Sequence, residues 1–206
     1  MVDISLETLA EDIASVIPSI DSRTTGQYGD GIGSEDEERQ IELILRELRN
    51  SDNRYKEVER EVSYPDSAQK CNLKLPNGTL MEAKLIRYWR ANGDPEHHMY
   101  SRVFSPFYTN TMMTDAKRSH DIEQKTLSNS EQTTGLLGLF YKRSDEDTET
   151  VEALPERYTA EDIAEKVVRD IEYWYDFQAS VSGIAEFSNL QHTVHKQGAV
   201  ITWKIE

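Results

Sequence analysis

The chain has 206 residues, 37% of them hydrophobic, 30% charged and 9% aromatic, and a formal net charge of -15. That length and composition suit one globular domain with its own core, and no stretch approaches the ~20 apolar residues that span a bilayer. The N-terminal stretch carries Asp3, Glu7, Glu11 and Asp12 instead of a basic start and an apolar run, so a cytoplasmic protein with no membrane attachment is expected. The single cysteine, Cys71, excludes an internal disulfide and reads as a buried thiol.

Leu6, Leu9, Ile13, Val16 and Ile17 recur at helical spacing, with Ser5 as N-cap and Pro18 as the stop. Residues 19–33 read as loop, with Gly26, Gly29, Gly31 and Gly33 among short polar residues. Ser34, with Glu37 three residues on, fits a capping box that opens a second helix, whose stripe is Ile41, Ile44, Leu45 and Leu48. Glu37 falls on the centre line of that stripe and Glu38 at its edge. A carboxylate aimed at the core side of a helix is costly unless paired or metal-bound, so Glu37 either closes the capping box or serves as a ligand.

Residues 55–64 alternate weakly at Val58 and Val62 and read as a strand. Cys71, Leu73 and Leu75 alternate over 70–75, Pro76-Asn77-Gly78 is a hairpin turn, and 79–88 is the return strand. Residues 91–110 are mostly loop and 111–124 a helix. Leu136, Leu137, Leu139 and Phe140 lie in a continuous apolar run over 135–142, which marks a buried central strand; 144–152 is an acidic loop. Thr159 caps a helix over 160–178, with Ile163, Val167, Ile171 and Trp174 on one face. The chain ends in a hairpin in which 193–196 turns at Gln197-Gly198 into 199–205. The fold class is therefore α/β, a mixed central sheet flanked by helices. It forms a single domain over 1–206, with the N-terminal helices at 1–51 and the C-terminal helix and hairpin at 159–206 as appendages.

The chemically informative segment is Tyr64-Pro65-Asp66, followed on the return strand by Glu82-Ala83-Lys84. Glu82 and Lys84 are two apart on a strand and so share a face. The hairpin returns the Asp66 end of the segment beside them. Two carboxylates and a lysine at one sheet edge are what phosphodiester hydrolysis needs. Hard oxygen ligands hold Mg²⁺ or Mn²⁺, the metal acidifies a bound water, and a lysine stabilises the phosphate as charge develops.

Pro65-Asp66, then fifteen residues, then Glu82-Ala83-Lys84 resembles the PD-(D/E)xK nuclease superfamily, the restriction endonuclease-like enzymes. The runs 61–89, Ser105-Pro106, 135–141 and 195–203 are similar to a bacterial and archaeal group within it, and the resemblance extends over 61–203, about two thirds of the chain. It implies a restriction endonuclease-like sheet core of four or five strands flanked by helices. It also implies a metal-dependent nuclease, restriction-like or defensive, with Asp66, Glu82 and Lys84 catalytic. Asp66 and Glu82 would hold the metal with Glu37, and Glu38 is the next candidate. One departure is Asn72, where the group leads one to expect an aspartate; if that position is the ligand, metal binding weakens and Asp66 must carry the role.

Eight basic against four acidic residues over 68–118 leave a local charge of +4 and -19 elsewhere. Lys70, Lys74, Arg87, Arg90, Arg102, Lys117 and Arg118 are accordingly expected to form one DNA-binding face. Trp89 reads as core or as a DNA contact, the adjacent His97 and His98 as polar loop rather than a metal pair, His192 and His195 as structural or solvent-facing, and Tyr173, Trp174 and Tyr175 as core and interface rather than a stacking platform. Two alternatives stand beside the nuclease. One is a weak or inactive nuclease-fold subunit of a larger complex, with a protein partner or as a homodimer. The other is an acidic interaction protein in which the motif is accidental.

Overall fold

The apolar runs sort onto the two faces of one sheet. The computed structural model describes residues 3–26, 29–64, 69–126, 133–143 and 159–206. In chain order these form α1 (Leu6–Asp21), two short strands β1 (Thr25–Gly26) and β2 (Gly29–Asp30), a 3-10 turn (Ile32–Ser34), α2 (Glu37–Ser51), a second 3-10 turn (Asn53–Glu57), β3 (Glu59–Ser63), β4 (Lys70–Lys74), β5 (Leu80–Arg87), α3 (Met99–Val103), α4 (Met112–Thr126), β6 (Thr134–Lys142), α5 (Ala160–Trp174), β7 (Ala179–Phe187) and β8 (Gln197–Ile205). The last six strands but α-helices aside, β3 to β8, make one mixed sheet in the order β3-β4-β5-β6-β8-β7, in which only β5 and β6 are parallel. A parallel pair needs a long crossover, and α3 and α4 supply it.

On one face Leu137, Leu139 and Tyr141 of β6 and Val200 of β8 pack with Ile13 and Ile17 of α1 and Ile41, Ile44 and Leu48 of α2. On the other, Leu136, Phe140, Ile201 and Trp203 pack with Met113 and Ala116 of α4 and Ile163, Val167 and Ile171 of α5. β6 is buried on both faces, as its unbroken apolar run predicts. Gly138 has a packing reason: a Cβ there would lie 2.9 Å from the ring of Trp203. Gly78, at φ 91°, closes the β4–β5 hairpin as Asn-Gly predicts, and its N–H donates to Leu75 O at 2.9 Å.

Several boundaries differ from the sequence reading, each for a physical reason. α1 continues past Pro18 to Asp21, because its last turn is tied down from outside. Ile20 is buried, and the Asp21 carboxylate accepts from Ile32 N at 3.0 Å and Gln191 N at 2.6 Å. The N-cap of α2 is Asp36, which accepts from Arg39 N at 2.8 Å, while Ser34 lies in the preceding 3-10 turn. Glu37 is therefore the first helical residue rather than the closing member of a capping box. The loop at 91–110 contains α3, and residues 55–57 belong to a 3-10 turn.

The C-terminal segment is built into the sheet rather than appended: β8 lies between β6 and β7. β7 was not foreseen. It is an edge strand whose interior is only half-buried and which breaks register between Val181 and Gly183, so no alternation marks it. Residues 193–196, expected as a strand, are loop, and Gln197 and Gly198 already belong to β8. The acidic run at 144–152 lies outside the described residues.

Candidate active site

β4 and β5 pair only next to their turn, at Leu73 with Met81 and Lys74 with Leu80. Beyond that the ladder is continued by side chains. Asn72 Oδ1 accepts from Ala83 N at 2.7 Å, and Glu37 Oε2, reaching in from α2, accepts from Leu85 N at 2.9 Å. Backbone donors inside a sheet need partners, and here an amide and a carboxylate supply them where a strand would. The sheet is thus parted along β5, and chemistry-bearing side chains line the parting.

Leu80, Glu82, Lys84 and Ile86 share the face of β5 that meets α4, where Leu80 packs with Ile122 and Ile86 with Met113. Thr111 precedes α4 and its hydroxyl accepts from Thr114 N at 3.1 Å, with Asp115 in the first turn. Asp115 and Arg118, three apart, lie on the same helix face. The result is a chain of alternating charge. Arg118 donates to Glu82 Oε1 at 2.8 Å and to Asp115 Oδ1 at 2.9 Å; Lys84 Nζ lies 3.1 Å from Asp115 Oδ2 and 3.9 Å from Glu37 Oε1. Tyr64 donates its hydroxyl to Glu82 Oε1 at 2.6 Å, and Lys84 donates to Asn110 O at 3.2 Å.

Glu82 is 5% exposed and Asp115 3%. Burial pushes the Glu82 carboxyl up to about 7; the nearby Asp115 charge adds to this, and the Tyr64 hydrogen bond and Arg118 oppose it. Burial also raises Glu37, against the pull of Lys84. For Lys84, burial works against the ammonium, but Glu37 and Asp115 outweigh it and hold it above its ordinary value. Lys84 is therefore a charged donor, not a base. Three carboxyl groups face two cations, so ionisation of all three leaves one more anion than the set can neutralise. Buried ion pairs add little to stability compared with apolar packing, so this concentration of charge marks a site.

The structure brings Glu82, Lys84 and Glu37 together, and adds Asp115 and Tyr64, to which the sequence reading gave no role. Asp115 had a signal: it falls on the buried stripe of Met112, Ala116 and Ser119, as Glu37 does on its own helix. Asp66 lies outside the described residues. The residues that bracket it are joined, Tyr64 N donating to Gln69 O at 2.9 Å. Asn72 is engaged by Ala83, and Glu38 is exposed.

The basic residues expected at DNA are mostly engaged within the chain. Lys74 pairs with Glu59 at 2.9 Å, Arg90 with Glu96 at 3.6 Å and Lys117 with Asp121 at 2.8 Å, and Arg118 belongs to the site. Arg87 turns inward, donating to Gly33 O at 2.7 Å and Glu35 O at 3.3 Å, and burial lowers its pKa. Lys70 and Arg102 are exposed. Trp89 is buried, as are His192 and His195, whereas His97 and His98 are exposed. Burial drives His195 down to about 3, and its Nε2 lies 3.0 Å from Trp89 O. Cys71 is buried, and burial pushes its thiol up to about 11. No helix among the described residues is long and apolar enough to cross a membrane. Comparison with protein-family models, with curated proteins and with solved structures finds no match to the chain.

Proposed function

We propose that this chain is a metal-dependent nuclease hydrolysing phosphodiester bonds of DNA, with Glu82 and Asp115 holding Mg²⁺ or Mn²⁺ and Lys84 beside the reacting phosphate. The observation that supports it most is the chain Glu82–Arg118–Asp115–Lys84–Glu37 in the parting beside β5, buried at Glu82 and Asp115 and half-buried elsewhere, where carboxyl groups outnumber cations. Among the described residues no three His, Cys, Asp or Glu side chains are grouped as a preformed metal cage. Mg²⁺ does not need one, since it takes one or two carboxylates and keeps several waters; the two acidic side chains that share Arg118 are hard donors of that kind. Asp66, two residues from Tyr64, and Glu37 are the further donors that the motif nominates.

When bound, the divalent ion would supply Lewis acidity toward the phosphate and acidify a water. Lys84, held between Asp115, Glu37 and the Asn110 carbonyl, presents a fixed positive charge to a phosphate undergoing attack. Arg118 carries the planar fork that suits phosphate oxygens. Tyr64 fixes the orientation of the Glu82 carboxylate through its hydroxyl. A second reading, a nuclease-fold subunit without turnover, is favoured by Arg118 occupying both carboxylates and by Asn72 being engaged with Ala83. The two readings part on one assay, incubation of the chain with double- and single-stranded DNA in Mg²⁺, in Mn²⁺ and in EDTA. Cleavage that needs the metal and is lost in Lys84→Ala is the expected result. Absence of cleavage in both metals overturns the nuclease in favour of the inactive subunit.

A further inference from the structure

The surface beside the site exposes its large apolar side chains almost entirely as rings. Phe107 is 79% exposed, Tyr173 78%, Tyr108 62% and Trp174 41%; among the described residues the only large aliphatic side chain comparably exposed is Val181. Apart from Tyr100 on α3, also 46% exposed, the rings come from two segments, the loop at 105–110 and the C-terminal end of α5, and three of them meet. Phe107 and Trp174 lie edge to face with centroids 5.3 Å apart, and Tyr173 and Trp174 4.8 Å apart. The sequence reading placed Tyr173 and Trp174 in core or interface, but the helix end carries them out of the core.

The loop that bears Phe107 and Tyr108 ends on Asn110, the residue whose carbonyl receives the Lys84 ammonium. Three residues of chain span at most ~11 Å, so the backbone of Phe107 and Tyr108 lies within that reach of Asn110, whose carbonyl contacts the lysine. From this placement we infer that the aromatic surface stacks unpaired nucleobases, and that the substrate delivered to Lys84 is single-stranded nucleic acid. The inference rests on the nuclease reading and specifies its substrate class. Every base offers a π face, and aromatic side chains beside a backbone-binding site are the sequence-tolerant way to hold a single strand. The charge near the rings points the same way. Glu172 and Asp176 flank Tyr173 and Trp174, and they repel the rigid double row of phosphates on a duplex. A flexible single strand can turn its bases to the rings and its phosphates to solvent. Continuity with Lys84 is what favours bases over a protein partner at the same surface.

The chain reports on this surface through its own fluorescence. Of its three tryptophans, Trp89 and Trp203 are buried and Trp174 alone is substantially exposed. Titrating the full chain in EDTA with a short oligo(dT), and with the same strand annealed to its complement, separates the outcomes. Saturable quenching by the single strand, with much weaker response to the duplex, is expected. Phe107→Ala and Tyr173→Ala should each weaken single-strand binding by about fivefold or more, read by anisotropy of a labelled oligonucleotide, with the circular dichroism unchanged. No quenching by the single strand, equal affinity for the duplex, or no effect of both ring deletions overturns the inference, and the surface then belongs to a protein partner. Since no metal is present, the two readings fail separately. Metal-dependent cleavage without stacking sinks only this inference, and stacking without cleavage sinks the nuclease and leaves a single-strand-binding surface.

Discussion

At its C-terminal end β5 runs into a polar cluster in which nearly every side chain is bound to backbone, whereas in its middle it carries a cluster bound mainly to itself. In the first, Asp21 caps Ile32 N and Gln191 N, Arg87 serves the carbonyls of Gly33 and Glu35, His192 Nδ1 accepts from Val194 N and His195 N, and His195 faces Trp89 O. In the second, Glu82, Arg118, Asp115, Lys84 and Glu37 hold one another, with a surplus of carboxylate. Burial is common to both, and so does not distinguish a site from a support. Backbone partners fix a loop, while charges that answer mainly to other charges can be re-partnered by a ligand.

The comparison breaks most sharply under substitution. Lys84→Ala should lower metal-dependent cleavage by about 100-fold or more while moving the melting temperature little, measured on the same preparation. Asp21→Ala should do the reverse. It leaves the buried Ile32 amide unpaired at about 1–3 kcal/mol and removes the partner of Gln191 N, a loss read from the urea midpoint, with cleavage per folded molecule retained. If Asp21→Ala abolishes cleavage in fully folded protein, or Lys84→Ala unfolds the chain, the two clusters are wrongly told apart.

The clusters should also leave opposite marks on stability against pH. His195 is neutral in the fold down to about 3 but titrates near 6.5 when unfolded. The unfolded chain therefore binds the extra proton between those values, and stability falls as pH drops through that window by about 1.4 kcal/mol per unit. Glu82 is raised from 4.5 to about 7. There the folded chain holds the proton, and stability falls as pH rises from 4.5 to about 7. Between 4.5 and 6.5 the two slopes oppose. Glu82→Gln should remove its own, making stability rise more steeply with pH across that range than in the parent. Equal slopes in parent and variant, from urea titrations at several pH values, would contradict the assignment of Glu82.

A smaller effect separates two residues that the sequence reading treats alike. Lys70 is exposed, and Lys70→Glu should weaken DNA binding on all sequences and shift the salt slope by about one. Arg87 is held by carbonyls inside the chain, so Arg87→Gln should cost stability and leave the salt slope unchanged. Anisotropy titrations at several salt concentrations check both.

The pairing of Glu82 with Lys84 was legible because a strand has period two and Asn77-Gly78 announces the hairpin. The position of Glu37 was legible from the stripe of α2, although its cap was misassigned: Asp36 and Ser34 are both good caps, and only the 3-10 turn preceding the helix decides between them. Asp115 was missed because the acid was counted toward segment charge instead of being placed on the wheel of α4. Net charge over a segment does not reveal that Arg87 turns inward or that Lys74, Arg90 and Lys117 have acidic neighbours. β7 carries its burial at its two ends, and a bulged edge strand leaves no period to read.

The central claim is that the parting beside β5 holds a divalent ion between Glu82 and Asp115, and Mn²⁺ binding followed by electron paramagnetic resonance tests it without relying on turnover. The parent should bind saturably at one site, and Glu82→Gln and Asp115→Asn should each lose that site while staying folded. No saturable binding by the parent, or binding unchanged in both variants, would contradict it.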